Sequence, residues 1–152
     1  MRIVVGGTFD IIHVGHIRFL WAAKKLAENS ELIVIVARDE TVKKIKGREP
    51  IFSEEERLEI VSNLKPVDKA VLGYKIGERS FFDILLELKP DIVALGYDQK
   101  INENDIREWA KRNDLNIKVI RLPKFECEIS SSTMVREKIF NKLDEKLNHF
   151  AH

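Results

Sequence analysis

Two histidines and two adjacent glycines near the amino terminus are the residues whose types and spacing could most clearly do chemistry. After a short apolar run, the chain reads Gly6-Gly7-Thr8-Phe9-Asp10-Ile11-Ile12-His13-Val14-Gly15-His16. His13 and His16 lie three residues apart at the predicted start of a helix, so both imidazoles can face one point near the positive end of the helix dipole. The glycines let the backbone approach a bound group closely. The pattern predicts a site for an anion.

A zinc site and a purely structural turn are the alternatives for this string. The HxxH spacing supplies only two ligands, and Cys127, His149 and His152 offer no convincing complement. A glycine turn followed by two hydrogen-bonded histidines is the common explanation of an isolated HxxH pair. It accounts poorly for the whole string.

A second group of polar residues, Ser131-Ser132-Thr133-Met134-Val135-Arg136, precedes the predicted final helix. Hydroxyl groups and free N–H groups at a helix start favour an anion, and Arg136 can present its guanidinium to the same phosphates. The alternative is an ordinary N-cap followed by a solvated arginine. Together with the histidine pair, the segment indicates the second half of a phosphate site.

The basic segment 38–48 is a third candidate. A charge run is usually a solvated face, and for Lys43 and Lys44 this alternative carries equal weight. By contrast, Lys46-Gly47-Arg48-Glu49-Pro50 predicts an ordered loop at the edge of the sheet where ligands bind.

Composition limits the classes of partner. The 152 residues carry 26 Lys and Arg against 25 Asp and Glu, so no overall field favours nucleic acid or a membrane surface. The apolar runs are too short to span a bilayer, and the amino terminus does not resemble a signal peptide. The single Cys127 cannot form an internal disulfide, so we expect a cytoplasmic protein.

Alternating short and long apolar patterns predict the elements that must position these groups. Five β-branched runs, at residues 3–5, 32–36, 69–72, 92–95 and 117–120, alternate with helical spacing, and a final helix starts near Ser131. Ser53 and Glu56 match a helix capping box. The fold class is therefore α/β, a doubly wound five-stranded parallel sheet with a C-terminal helix. We expect one domain over residues 1–140 and a polar tail over 141–152, either helical or frayed.

The glycine and histidine string resembles the G-x-F-D-x-x-H-x-G-H signature of the HIGH-type nucleotidylyltransferase superfamily, which has a Rossmann-like fold. In that family the two histidines contact the nucleotide phosphates while a phosphorylated acceptor attacks the α-phosphate and pyrophosphate leaves. The segment ending in Arg136 resembles the family element S-[ST]-T-x-[IV]-[RK], which holds the β- and γ-phosphates. Ser130 stands where relatives often have Ile.

The resemblance implies a set of site residues. The implied catalytic residues are His13, His16, Lys46 and Arg136. The implied nucleotide-binding residues are Gly7, Thr8, Phe9, Asp10, His13, Val14, Gly15, His16, Asp98, Phe125, Ser131, Ser132 and Thr133. The acceptor phosphate would be bound by Lys44, Lys46 and Arg48.

Several of these assignments have alternatives from the residues themselves. Asp98 lies in Gly96-Tyr97-Asp98-Gln99, which is otherwise an ordinary turn at a strand end. Phe125 either stacks on a base or packs in its loop. Arg57 matches a recurrent family arginine, or else pairs with neighbouring glutamates.

Segments 36–42, 46–50, 64–70, 89–92 and 96–99 look most like the archaeal-type FAD synthetases. This resemblance implies the reaction of FMN with ATP to give FAD and pyrophosphate, Mg²⁺ bound through the nucleotide phosphates with no metal site on the protein, and a homodimer. The family carries a pair of C-terminal cysteines, of which only Cys127 is present.

Two other functions stay open at this point. One is a cytidylyltransferase that uses CTP and a small phosphorylated alcohol such as glycerol 3-phosphate. The other is a non-catalytic nucleotide-sensing domain, against which the complete set of His13, His16 and Arg136 argues.

Overall fold

Five parallel strands form one sheet in the computed structural model, which describes residues 1–150. The strands are β1 Arg2–Gly7, β2 Glu31–Val36, β3 Lys69–Leu72, β4 Ile92–Leu95 and β5 Lys118–Arg121. Their order is β3-β2-β1-β4-β5, so the first strand in the chain is the central strand of the sheet. The predicted doubly wound α/β fold is confirmed.

Within residues 1–150, six helices connect or follow the strands. They are α1 Val14–Lys24, α2 Asp39–Lys46, α3 Glu54–Ser62, α4 Phe81–Leu88, α5 Glu103–Arg112 and α6 Ser132–Phe150. At the start of α3, the Ser53 hydroxyl accepts the N–H of Glu56 at 3.2 Å, as the capping pattern predicted.

Both faces of the sheet are buried, and successive strand residues point into the two cores in turn. Ile3 and Val5 face a core that includes Leu20 of α1 and Val61 of α3. Val4 faces the second core, which includes side chains of α4 and α5. The near-continuous apolar runs therefore belong to a sheet with helices on both sides.

The register of β1 differs on its two sides. With β2 it pairs along its whole length, from Arg2 opposite Glu31 to Gly7 opposite Val36. With β4 the register covers only Ile3 opposite Ile92 and Val4 opposite Val93. Beyond these two pairs the carboxyl ends of β1 and β4 diverge without a paired register, at the point where the winding of the sheet reverses. Folds of this kind bind their ligands in a crevice at that point.

The basic segment divides into a helix and a loop. Residues 39–46 form α2, and the predicted loop begins at Gly47, one residue later than expected, where a φ of 71° ends the helix. Positive φ favours glycine, which explains this residue between two cations. The bounds of this helix could not be predicted because Val42 is its only buried residue.

The carboxyl-terminal helix α6 runs through Phe140 without a break. Every residue from Glu137 to His149 is exposed. The division of the chain at residue 140 stays a prediction. Within the described residues, no helix has the length and apolar character needed to cross a membrane.

Candidate active site

The two histidines bind the main chain at the start of α1. Nδ1 of His13 accepts the N–H of Gly15 at 3.1 Å, and Nδ1 of His16 accepts the N–H of His13 at 3.2 Å. The ring centroids are 3.9 Å apart. Since a neutral imidazole has one donor and one acceptor nitrogen, both rings must carry their hydrogen on Nε2. The helix start thus fixes two Nε2–H donors side by side.

The burial of His16 keeps it uncharged. Burial, followed by the nearby His13 and then by Lys46, lowers the pKa of His16 to about 3. Burial also lowers the pKa of His13. Protonation would in addition break the bonds that each Nδ1 accepts. Near neutral pH the rings of the free protein are therefore neutral hydrogen-bond donors.

Two close approaches explain the glycines beside the histidines. A Cβ on Gly15 would lie 2.8 Å from Cε1 of His13, and a Cβ on Gly7 would lie 2.9 Å from Cε2 of Phe9. Phe9 itself has a φ of 51°, is 4% exposed, and has its ring centroid 5.5 Å from that of His16. The side chain of Phe9 is thus part of the core next to His16. Its predicted role in binding the nucleotide stays a prediction.

Asp10 is buried and joins three segments. Its Oδ2 accepts the N–H of Ile51 at 2.8 Å, its Oδ1 accepts the N–H of Phe52 at 2.9 Å, and it forms an ion pair with Arg136. Only 4% of the residue is exposed. Three protein donors occupy this carboxylate, so Asp10 positions Arg136, and its predicted contact with a nucleotide stays a prediction.

Arg57 is fully buried and connects the loop after β1, the loop before α3 and the helix α2. It donates to the carbonyl oxygens of Thr8 at 2.8 Å and Phe52 at 3.0 Å, and pairs with Asp39 of α2 at 2.7 Å. Its partner is therefore not one of the neighbouring glutamates. Sequence reasoning missed the structural roles of Asp10 and Arg57 because their partners lie far away in the chain.

Lys46 lies within the same cluster of charges. Its pKa is lowered by burial first and then by Arg48, while Asp98 and Asp10 act in the opposite direction. Arg48 donates to the Thr133 hydroxyl at 3.1 Å, which joins the loop after α2 to the start of α6. Lys44 is exposed on α2, and its role stays a prediction.

The hydroxyl-rich segment forms the start of α6. Ser131 Oγ accepts the N–H of Met134 at 3.1 Å, and Ser132 Oγ donates to the carbonyl oxygen of Ile11 at 3.2 Å. These bonds bring the segment against the glycine and histidine loop, although the two lie at opposite ends of the sequence. Val14 is exposed at the start of α1 on this loop.

The remaining two predicted nucleotide contacts lie in different surroundings. Asp98 is exposed in the turn after β4, close enough to Lys46 to influence its pKa. Phe125 packs partly buried against the core that contains Ile3 and Leu20. For Phe125 the structure favours the packing alternative.

The cluster is suited to an anion with several charges. Two neutral Nε2–H donors lie beside Lys46, and the start of α6 adds hydroxyl groups and Arg136. Among residues 1–150, no group of three or more His, Cys, Asp or Glu side chains could hold a metal ion. Fixed donors of this kind can stabilise charge that develops on a phosphate during reaction.

Comparisons with known proteins give consistent matches. A family model described as cytidylyltransferase-like matches residues 4–138. An FAD synthase from Korarchaeum cryptofilum is 53% identical over 91% of each chain. An FAD synthase from Archaeoglobus profundus is 48% identical over 99% of this chain and 93% of its own.

One solved structure is also similar. The crystal structure titled lipopolysaccharide core biosynthesis protein, from Thermoplasma volcanium, has a TM-score of 0.75 and 41% identity, and the match covers 83% of this chain and 98% of that one. The similarity therefore extends over both sequence and three-dimensional structure.

Proposed function

The chain belongs to the cytidylyltransferase-like family, and from this we propose that it is an FAD synthase, which transfers AMP from ATP to the phosphate of FMN and releases pyrophosphate. Nucleotidyl transfer is supported by the family match together with the His13 and His16 pair. The flavin acceptor is supported by relatives named FAD synthase at 53% and 48% identity over nearly the whole chain. The paired Nε2–H donors beside Lys46 are the observation that carries the chemistry.

The proposed reaction needs positioning and charge stabilisation rather than a strong base. An ionised phosphate oxygen of FMN attacks the α-phosphorus of ATP, and the bond from that phosphorus to the oxygen bridging to the β-phosphate breaks. Pyrophosphate leaves with the electron pair of that bond. His13 and His16 donate from Nε2 to the α-phosphate oxygens, where negative charge develops.

Other residues of the cluster divide the remaining contacts. Arg136 and the segment 131–133 bind the β- and γ-phosphates, and Asp10 holds Arg136 in place. Lys46 and Arg48 bind the phosphate of the acceptor. Asp98 contacts the nucleoside from the opposite side of the crevice.

The divalent cation is part of the nucleotide substrate. The donor set of the described residues contains no cluster of three or more carboxylate, imidazole or thiol groups that could hold an ion. In this proposal the phosphates of ATP would hold Mg²⁺, which would supply positive charge to the leaving pyrophosphate in addition to that of Arg136.

One incubation matrix tests the proposed function. The protein is incubated with ATP or CTP, each combined with FMN, glycerol 3-phosphate or phosphocholine, and pyrophosphate release and product are measured. We expect release only with ATP and FMN, with FAD as the product. Release only with CTP would instead establish the cytidylyltransferase alternative. His16→Ala is the matched inactive control, since loss of one such donor lowers kcat by about 10²- to 10³-fold.

We also propose that the protein forms a homodimer. Support comes from α6, on which large apolar side chains are exposed: Ile139 54%, Phe140 69%, Leu143 56% and Leu147 68%. A helix face of this kind buries apolar area when it packs against a second copy.

A further inference from the structure

The carboxyl ends of β1 and β4 are joined by a side chain rather than by main-chain pairing. Their register covers only Ile3 with Ile92 and Val4 with Val93. Beyond those pairs, Nε2 of Gln99 donates to the carbonyl oxygen of Gly6 at 3.1 Å, and Oε1 accepts the N–H of Gly96 at 2.7 Å. One amide thus bonds to both strand ends across the crevice.

Arg121, at the end of β5, holds the same turn from the other side. Its guanidinium donates to the carbonyl oxygens of Gly96 at 2.7 Å, Gln99 at 2.9 Å and Ile101 at 2.6 Å, and it pairs with Glu103. The turn is therefore fixed at its first and last residues. Asp98, between them, is left exposed toward Lys46.

We propose that Gln99 is a positioning residue, which sets the separation of β1 and β4 at their carboxyl ends and thereby the place of Asp98 against the nucleotide. The inference rests on the proposed function, because it requires that the nucleotide occupies this crevice. Gln99 acts through the strand ends and touches no reacting atom. The amide suits this position because it donates to the Gly6 carbonyl oxygen and accepts the Gly96 N–H at the same time, without carrying a charge.

Gln99→Glu keeps the size of the side chain but removes one of these two hydrogen bonds. The carboxylate still accepts the Gly96 N–H, but it faces the Gly6 carbonyl oxygen with no hydrogen to donate. We expect the KM for ATP to rise about tenfold at a pH near 8. The Gly6 carbonyl oxygen would then have no donor, and an acceptor left unpaired in this way weakens binding by about that factor. The KM for FMN should stay within about twofold, since the acceptor is held by the loop after α2.

The pH dependence of the variant distinguishes positioning from general damage. Once protonated, the new carboxyl group has an O–H that can donate to Gly6, so the KM for ATP relative to wild type should fall as the pH is lowered to about 6. The charged groups around it are Asp98 in the same turn, and Arg121 and Glu103 on the adjoining elements. Gln99→Met, which can neither donate nor accept strongly, should show the raised KM without recovery.

Asn113→Asp is the matched control. Nδ2 of Asn113 donates to the carbonyl oxygen of Trp109 at 2.8 Å at the end of α5, so the substitution removes the same kind of bond away from the crevice. The KM for ATP of this variant should equal that of wild type. Calorimetric affinity for MgATP provides a measurement that needs no acceptor.

Three results would overturn the inference. They are an unchanged MgATP affinity in Gln99→Glu and Gln99→Met, an equal rise of both KM values, and a raised KM that does not recover at lower pH. If the proposed function is wrong, wild-type protein makes no FAD. The MgATP affinities of wild type and the Gln99 variants can still be compared in that case, so the two failures are distinguishable.

Discussion

The main chain determines which nitrogen of each imidazole carries the hydrogen. Nδ1 of His13 and Nδ1 of His16 both accept backbone N–H groups, so their Nε2–H groups are available to a phosphate in the neutral state. This arrangement makes catalysis independent of a protonated histidine in the free protein. It also has a cost in stability that depends on pH.

We predict that the free energy of unfolding falls as the pH drops below 6.5. The pKa of His16 is about 3 in the folded state against an ordinary 6.5, so below 6.5 the unfolded chain binds a proton that the folded protein does not. The slope from this residue is at most about 1.4 kcal/mol per pH unit. His16→Asn should remove most of it, as measured by urea unfolding at several pH values between about 4.5 and 7.5.

Carboxylates do not explain a fall in the free energy of unfolding that begins near pH 6.5. The pKa values of Asp68, Asp83 and Glu103 are lowered, so the stability that they contribute is lost only at more acidic pH. Parallel pH profiles for wild type and His16→Asn would contradict the assignment to His16.

At the scale of elements, the first turn of α1 has no room for a side chain at Gly15. We predict that Gly15→Ala lowers kcat by about tenfold or more while the melting temperature changes little. The new Cβ, 2.8 Å from Cε1 of His13, must displace the imidazole, whereas alanine is otherwise about 1 kcal/mol better than glycine within a helix. Steady-state pyrophosphate release and thermal unfolding measure the two effects separately.

A control variant for that prediction is available at another glycine. Gly47 is the C-cap of α2, and a Cβ there meets nothing within 4 Å, but its φ of 71° strains any other residue. Gly47→Ala should therefore lower stability, by about 1 kcal/mol. Loss of stability with full activity in Gly15→Ala would refute the displacement of His13.

The strands and the helix starts at which the candidate site lies could be predicted from the sequence, because each depends on a local pattern. Apolar runs that are buried on both faces indicate strands such as Ile92–Leu95. The candidate site is indicated by His13 and His16, which lie only three positions apart. The bounds of α2 could not be predicted, since Val42 alone is buried on it. The partners of Asp10, 41 and 126 residues away, depend on tertiary contacts that no local pattern carries.

The whole molecule is nearly neutral but concentrates cations at one edge of its sheet. Lys46, Arg48 and Arg136 lie together there, and the net charge of +1 conceals this grouping. A focused positive region of this kind attracts a triphosphate without giving the remaining surface an affinity for polyanions.

Assembly also concerns the whole molecule, and we predict that Leu143→Asp converts the proposed dimer into a monomer. Leu143 is 56% exposed in the middle of the apolar face of α6, and a carboxylate at that place would be buried without a partner on dimerisation. Sedimentation equilibrium at several protein concentrations gives the mass. The control is Lys142→Asp, at the neighbouring exposed position, which should leave the mass unchanged; a wild-type monomer would refute the dimer.

The central place of β1 in the sheet also affects how the protein is made. A ribosome synthesises this strand first, yet its pairing with β4 must wait until residue 95 has emerged. Asp10 meets Arg136 only after 126 further residues. A nascent chain therefore carries the histidines long before the proposed phosphate site is complete, and refolding from denaturant must close this long loop before nucleotide affinity returns.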